Sequence, residues 1–301
     1  MPAEVVALYP VHEPVRLRAP AKVNLFIDVL DRRPDGYHNV DAVNVSVDLF
    51  DEIELVLNDT GYFALECDWE GVPTGDENLL VQAARLMLKG TRWGAELRLS
   101  KNIPVGAGLG GGSTDAAALM RYLSRVFNLG ERNLLPKAIQ IGSDVPYSVV
   151  GGPARIGGRG DTVSRLSDVP SLRLALVDPI CEIKTETIYA HLPPSDDREH
   201  PRADCFIESW RRGDLRLLGP QMFNAFQGIV FDQVPRLAQL RDVLLSHGCL
   251  GACLTGTGSH LVGLLGAETP GPGEWDWEET DAEVREVRTL SGDFPGWIKR
   301  R

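Results

Sequence analysis

The chain has 301 residues, of which 43% are hydrophobic and 24% charged, a composition typical of folded globular proteins. Its 31 basic and 42 acidic side chains give a formal net charge of −11, so we expect no binding to nucleic acid or to an anionic membrane surface. The five cysteines are odd in number and unpatterned, the first residues lack a basic and apolar leader, and no apolar run reaches the ~18 residues of a membrane span. We therefore expect a cytoplasmic protein.

Alternating apolar and polar residues predict strands near the start of the chain. In residues 21–30 the apolar side chains fall on one face, and Lys22, Asn24 and Asp28 share the other. Further elements are predicted at residues 40–47 (strand), 52–57 (strand) and 78–89 (helix).

A glycine-rich loop is the most informative feature. Residues 104–115 read PVGAGLGGGSTD, and residues 116–127 continue with apolar side chains at helical spacing. Glycine lets a polyphosphate approach the main chain, and the N–H groups at a helix N-terminus attract anions. The Walker lysine is missing, and the GxGxxG match at residues 106–111 lacks the strand and acidic residue of a dinucleotide fold. The loop therefore predicts a phosphate site built from backbone amides.

The second half of the chain predicts a further unit. A composition shift near residues 162–170 marks a boundary, which divides the chain into domains at residues 1–163 and 164–301. Before this boundary we predict a helix at residues 135–141. Beyond it we predict a strand at 172–177, a helix at 234–247 and a strand, glycine turn and strand at 251–263.

Two short patterns are not interpreted as sites. The Arg-Gly-Asp tripeptide at residues 159–161 is explained by chance. A zinc site is an alternative for four nearby residues, but their spacing fits no usual ligand pattern, so small buried residues are the favoured interpretation. These four are His247, Cys249, Cys253 and His260.

Several motifs, in order along the chain, resemble those of the GHMP small-molecule kinases. They are residues 20–25 (PAKVNL), 35–38 (DGYH), 108–117 (GLGGGSTDAA), 143–147 (SDVPY) and 254–259 (LTGTGS). The Tyr-His pair and the triple glycine are most similar to members that phosphorylate a hydroxyl of a cytidine-diphosphate-linked polyol in isoprenoid synthesis. The resemblance implies an α+β fold of two domains with the active site in the inter-domain cleft. It also implies ATP as co-substrate, Mg²⁺ and a small-molecule cytidine-diphosphate substrate, and it leaves the oligomeric state open.

The same resemblance implies roles for individual side chains. Asp144 matches the catalytic base and Lys22 the second catalytic residue, with Asn24 holding the acceptor hydroxyl. Tyr37 and His38 match residues that recognise cytosine by stacking and hydrogen bonds. Taken alone, Lys22 and Asn24 also fit the wet face of a strand, and Asp144 fits a helix terminus.

Further contacts follow from the family pattern. Thr185 and Tyr189 resemble substrate contacts of the second domain, although Lys184 replaces the usual serine before Thr185. Glycine turn residues Gly256, Thr257 and Gly258 match a support for the phosphate loop. The implied ATP-binding residues are Asn78, Lys101, Pro104, Val105, Gly106, Ala107, Gly108, Leu109, Gly110, Gly111, Gly112, Ser113 and Thr114.

Three further residues depart from the family pattern. His260 stands where a small residue is usual, and it either narrows the pocket or points outward. Ala225 and Gln227 replace two acidic residues, for which we expect altered packing or polar networks and not lost catalysis. The alternatives that remain are another GHMP kinase without the pyrimidine pocket and a non-catalytic nucleotide-binding descendant. The magnesium ligands are not readable, with Ser113 and Thr114 as candidates.

Overall fold

The computed structural model describes most of the chain. The described residues are 13–130, 133–181, 183, 188, 191–192, 201–277, 281–292 and 298–299. Within them, the strands are β1 (Val15–Arg32), β2 (His38–Asn58), β3 (Phe63–Cys67), β4 (Gly94–Ser100), β5 (Ala154–Gly157), β6 (Thr162–Arg165), β7 (Arg173–Asp178), β8 (Phe223–Asn224), β9 (Gly251–Leu254), β10 (Leu261–Leu265), β11 (Glu283–Leu290) and β12 (Ile298–Lys299).

The α-helices include those predicted at residues 78–89, 116–127, 135–141 and 234–247. They are α1 (Leu79–Leu88), α2 (Gly111–Val126), α3 (Leu134–Ile141), α4 (Val145–Val150), α5 (Ala203–Arg211), α6 (Leu215–Leu218), α7 (Gln227–Gln233) and α8 (Pro235–Ser246), with 3₁₀ turns at Gly219–Gln221 and Pro272–Glu274. Among the helices described, none combines the length and the apolar character that crossing a bilayer requires.

The strands join in one sheet with the order β12-β1-β2-β11-β7-β10-β9. The other strands branch from this path. Strands β4 and β5 pair with β2 and in turn with β3 and β6, and β8 pairs with β1. Pairing is antiparallel except between β1 and β8 and between β3 and β4. The mixed architecture of an antiparallel sheet covered by helices confirms the α+β prediction.

Strand β2 corrects the prediction of two separate strands at residues 40–47 and 52–57. It is continuous because β1 pairs along it, with residues 18–20 of β1 opposite residues 50–52 of β2. Shorter segments of β2 pair on its other edge with different neighbours. Residues 42–44 pair with β5, residues 46–47 with β11 and residues 52–58 with β4. The sequence predicted no element at residues 48–51, but long-range pairing with β1 extends the strand through this interval.

Helix α2 is held in place by small buried residues. Ala116 and Ala117 of α2 and Ala83 and Ala84 of α1 are fully buried in a common apolar cluster. Alanines let two helix backbones approach closely, so α1 and α2 pack tightly and the start of α2 is fixed relative to the sheet. This start is the end of the glycine loop.

A second apolar cluster spans both halves of the sequence. It brings Phe26 and Val45 together with Leu174, Trp210 and Val262. Burying side chains of this size contributes about 1.5–3 kcal/mol each, which ties the C-terminal strands to β1 and β2. The division into domains at residues 1–163 and 164–301 stays a prediction.

Candidate active site

The glycine loop connects β4 to α2 and takes conformations that glycine permits. Gly108 and Gly110 have φ angles of +74° and +67°. A Cβ on Gly108 would lie 2.7 Å from the carbonyl oxygen of Thr255, and one on Gly110 would lie 2.7 Å from Cγ of Lys22. Gly110 is also the N-cap of α2 and provides no side-chain cap. The first-turn amides of α2 therefore remain available to an anion.

A cavity of about 380 Å³ opens above this loop. Of the predicted ATP-binding residues, two do not line it: Leu109 and Thr114 are buried, and Thr114 Oγ1 donates to the carbonyl oxygen of Gly111 at 2.9 Å. The predicted residues that do line it are Asn78, Lys101, Pro104, Val105, Gly106, Ala107, Gly108, Gly110, Gly111, Gly112 and Ser113.

Asn78 and Lys101 both line the cavity while making specific protein contacts. Asn78 is the N-cap of α1, and its Oδ1 accepts from the amide of Leu80 at 2.9 Å. Lys101 Nζ donates to Oδ2 of Asp51 and, at 3.1 Å, to Oδ2 of Asp115. Oδ1 of Asp51 accepts from the amides of residues 102 and 103 at 2.7 and 2.8 Å. Asp51 thus ties β2 to the start of the glycine loop.

Burial governs the ionisation of this lysine and its two carboxylates, which we call the buried triad (Asp51, Lys101 and Asp115). Burial raises the pKa of Asp115 to about 8, an effect that Asp51 reinforces and Lys101 opposes. For Lys101, burial alone would lower the pKa, but the carboxylates of Asp115 and Asp51 outweigh it and raise the pKa. Sequence patterns pointed to Lys101 alone, because its partners lie on other elements.

Lys22 and Asp144 form an ion pair beside the loop. The Nζ of Lys22 lies 3.5 Å from Oδ2 of Asp144 and donates to Oδ1 of Asn24 at 2.7 Å. The backbone amide of Lys22 donates to the carbonyl oxygen of Leu109 at 2.9 Å, which anchors β1 to the loop. Lys22 is buried, so the interpretation of a wet strand face is wrong for it.

Asp144 occupies the N-cap position of α4, which is the alternative that the sequence left open. Its carboxylate nevertheless makes no capping hydrogen bond, and its side chain is 45% exposed. A carboxylate that is paired with a lysine and open to solvent on its other side can accept a proton from a bound hydroxyl.

Asn24 connects Lys22 to the C-terminal part of the site. Its Oδ1 also accepts from the amide of Gly256 at 3.1 Å, its Nδ2 donates to Asn44 at 2.6 Å, and its amide donates to Oγ1 of Thr255 at 2.9 Å. Sequence reasoning missed Asn44, which nothing local distinguishes, and gave no contact to Thr255, although Thr255 lies in the 254–259 motif. A contact between Asn24 and an acceptor hydroxyl stays a prediction.

The second glycine turn packs directly on the phosphate loop. A Cβ on Gly256 would lie 2.9 Å from the carbonyl oxygen of Gly108, so both segments need glycine where they meet. Asn224 Nδ2 donates to the carbonyl oxygens of Leu254 and Gly256, each at 2.8 Å. Oε1 of Gln227 accepts from the amide of Leu254 at 3.1 Å, so this departure from the family pattern still supplies an acceptor. Thr257 and Gly258 complete the turn.

His260 neither lines the nucleotide cavity nor points to solvent. It is buried, and its Nε2 lies 3.5 Å from Oδ2 of Asp178. Hydrogen bonding to His260 lowers the pKa of Asp178. Cys249 and Cys253 are buried, and burial raises the pKa of each thiol to about 12. No group of His, Cys, Asp and Glu in the described part of the chain is arranged to hold a metal ion.

Tyr37 and His38 lie at the turn between β1 and β2. Tyr37 is 51% exposed and lines a second cavity of about 190 Å³, which is bounded on another side by residues 139–143. His38 is half-buried and pairs with Arg32 in the sheet. Thr185 and Tyr189 lie outside the described residues, and their predicted contacts stay predictions.

The fold and this paired arrangement of loop, lysine and aspartate define a class of kinase. Residues 78–152 match the GHMP kinases N terminal domain, and residues 206–287 match the GHMP kinases C terminal domain. The chain belongs to the GHMP kinase family and is an ATP-dependent small-molecule kinase.

Individual relatives within the family bear the name of one particular enzyme. A protein of Pelotomaculum thermopropionicum called 4-diphosphocytidyl-2-C-methyl-D-erythritol kinase is 36% identical over 91% of this chain and 97% of its own length. A protein of the same name from Brevibacillus brevis is 35% identical over 84% and 88%.

Solved structures agree on the fold. A 4-(cytidine 5'-diphospho)-2C-methyl-D-erythritol kinase superposes with a TM-score of 0.73 at 30% identity, covering 90% of this chain and 98% of its own. Homoserine kinase from Cytophaga hutchinsonii superposes with a TM-score of 0.76 at 19% identity, covering 95% and 98%. The second likeness concerns the fold alone.

Proposed function

We propose that this chain transfers the γ-phosphoryl group of ATP to the 2-hydroxyl of 4-diphosphocytidyl-2-C-methyl-D-erythritol, giving the 2-phosphate and ADP. The observation that carries the proposal is the Lys22–Asp144 pair, 3.5 Å apart and set against the phosphate loop. Two relatives that bear this enzyme's name, at 36% and 35% identity, support the choice of acceptor. The reaction belongs to the non-mevalonate route to isoprenoids.

Phosphoryl transfer needs alignment and charge balance more than covalent chemistry. The first-turn amides of α2 bind the phosphates, and Asp144 accepts the proton of the acceptor hydroxyl. Lys22, 3.5 Å from Asp144, balances charge on the phosphoryl oxygens. Asn24 holds the lysine in place through the 2.7 Å hydrogen bond. General-base catalysis of this kind is typically worth about 10²–10⁴ in rate.

Mg²⁺ is part of the proposal. Oxygen ligands suit it, and ATP phosphates and water supply most of its coordination shell. Ser113 lines the cavity and offers a hydroxyl, whereas Thr114 is buried and donates to Gly111, so Ser113 is the residue that would hold the ion. When bound, the metal neutralises charge between the phosphates.

Recognition of the acceptor rests on the turn between β1 and β2. Tyr37 presents an exposed ring on which a cytosine stacks, and His38 follows it with polar ring nitrogens. Thr185 and Tyr189 complete the acceptor site in the proposal. A cytoplasmic location is also proposed, in keeping with five free cysteines.

A coupled assay of ADP release tests the function. The purified chain is given MgATP with the cytidine-diphosphate-linked acceptor, mevalonate or homoserine in separate reactions. We expect turnover with the first acceptor and inhibition by CDP. Turnover with mevalonate or homoserine only would favour another GHMP kinase. ATP binding without turnover on any acceptor would favour a non-catalytic descendant.

A further inference from the structure

The Arg-Gly-Asp tripeptide at residues 159–161 has a place in the structure that its sequence did not suggest. It forms a turn after β5 that packs against the residue before Asp144. The amide of Gly160 donates to the carbonyl oxygen of Gly157 at 3.2 Å, and a Cβ on Gly160 would lie 2.8 Å from the carbonyl oxygen of Ser143. With φ at +100°, Gly160 lets the turn lie this close. The tripeptide is therefore held beside the proposed catalytic carboxylate.

The side chain of Arg159 lines the second cavity together with Tyr37. Its guanidinium carbon lies 5.3 Å from the centroid of the Tyr37 ring, a cation–π distance. The cavity of about 190 Å³ also contacts Ser143 and Pro146 on either side of Asp144. Arg159 thus lies between the aromatic platform and the reacting end of the acceptor site.

Arg159 is held only loosely by carboxylates. Its Nε lies 3.8 Å from Oδ2 of Asp161, which is beyond hydrogen-bond distance, and its side chain is 34% exposed. By contrast, Arg33, on the turn that carries Tyr37, donates from Nε to both carboxylate oxygens of Asp35 at 3.1 and 3.2 Å and from Nη1 to Asn39. Arg159 lines the cavity, and its guanidinium donors have more room for a ligand than those of Arg33.

The charge of the protein makes such a cation necessary. The chain has a formal net charge of −11, Asp161 lines this cavity, and Asp144 directly follows Ser143 of its lining. A diphosphate entering here meets a repulsive field unless a local donor compensates it. Lys22 is buried and already engaged with Asn24 and Asp144. An arginine fork is well suited to phosphate oxygens.

We propose that Arg159 is a substrate-binding residue whose guanidinium contacts the diphosphate of the nucleotide-linked acceptor. This inference rests on the proposed function, since it assigns a residue to the diphosphate of that acceptor. It makes the tripeptide a determinant of acceptor specificity: a kinase acting on an uncharged alcohol has no use for this cation.

Steady-state kinetics of Arg159→Gln test the proposal. At saturating MgATP we expect the KM for the cytidine-diphosphate-linked acceptor to rise about tenfold, with the KM for ATP unchanged and kcat changed less than KM. Arg125→Gln is the matched control, because Arg125 is exposed and lies fourteen residues along α2 from Gly111, about 21 Å away. Arg159→Lys keeps the charge without the fork and should recover part of the loss.

Inhibition by CDP and by cytidine separates a phosphate contact from simple support of Tyr37. In the wild type we expect CDP to inhibit at least about tenfold more tightly than cytidine, and Arg159→Gln should reduce that ratio to near one. Equal weakening of both inhibitors, or an acceptor KM within twofold of wild type, overturns the inference. If Arg159→Gln does not fold, a wild-type ratio near one overturns it equally. No wild-type turnover with the acceptor overturns the proposed function instead.

Discussion

Two groups of lysine and aspartate flank the glycine loop, and they differ in burial. In the buried triad, Lys101 lies 3.1 Å from Asp115 and also donates to Asp51, and these side chains are at most 4% exposed. In the second group, Lys22 lies 3.5 Å from an Asp144 that is 45% exposed. In the proposed mechanism the same residue types thus serve architecture where every donor is enclosed and chemistry where one carboxylate faces solvent. Burial, and not residue type, separates the two roles.

The largest effect should come from opening the buried triad. Asp51→Ala removes the acceptor for Lys101 and for the amides of residues 102 and 103, which leaves buried donors unpaired. We expect the free energy of unfolding to fall by about 3–5 kcal/mol. Urea unfolding followed by fluorescence measures it. Asp59→Ala, at an exposed aspartate, should stay within about 0.5 kcal/mol of wild type. A small loss for Asp51→Ala would show that the triad is not structural.

Lys22 and the partly exposed Asp144, which we call the open pair, should affect the rate of catalysis and not the stability of the fold. Asp144→Asn keeps the shape of the side chain but removes the proton acceptor. We expect kcat to fall at least about a hundredfold, with ATP affinity nearly intact. Single-turnover kinetics and calorimetry with an ATP analogue measure the two quantities. Near-normal turnover would remove Asp144 from the proposed mechanism and leave both groups structural.

The contact between the open pair and the loop can be tested through glycine. Gly110→Ala forces an alanine to a φ of +67° and against Cγ of Lys22, so we expect about 1 kcal/mol or more of destabilisation and weaker ATP binding. Gly112→Ala is the matched change, because its Cβ would meet nothing closer than Cδ1 of Leu79 at 3.9 Å. Without nucleotide it should be neutral or slightly stabilising. Equal thermal shifts for the two variants would contradict this account.

The last test concerns the pH dependence of the buried triad. The pKa of Asp115 is raised from 3.8 to about 8, so the folded state holds a proton that the unfolded state has lost. Stability from this group is complete below pH 4 and is lost as the pH rises through 8, at no more than about 1.4 kcal/mol per pH unit. Asp115→Asn should therefore flatten the stability profile between pH 5 and 8. If thermal unfolding of Asp115→Asn gives an unchanged profile, a group other than Asp115 is responsible for the pH dependence of stability.

Much of the site follows from local sequence. The glycine loop, Lys22, Asp144 and the second glycine turn are short motifs, and their chemistry is readable because backbone amides and charged groups act within a few residues. The helix after the loop was equally clear over residues 116–127, where apolar residues recur at helical spacing, although α2 begins five residues earlier, at Gly111. These motifs also suffice to indicate the kinase family.

Other parts of the site depend on residues far apart in the chain. Asn24 and Thr255 are 231 positions apart, and Lys101 and Asp51 are 50 apart. Local periodicity carries no information on such contacts, so Asn44, Thr255, Asp51 and Asp115 were not predicted. The same limit made β2 look like two strands, because the pairing that joins its two halves is with β1, at residues 50–52.

By itself, then, the sequence determined which groups could bind phosphate and move a proton, because those properties belong to residue types and to a glycine-rich backbone. Only the tertiary structure decided which lysine is enclosed and which stands beside an open carboxylate. It also decided that Arg159 faces Tyr37 across a cavity. The physical reason is that burial and charge pairing arise from packing between distant segments, and packing sets what each ionisable group can do.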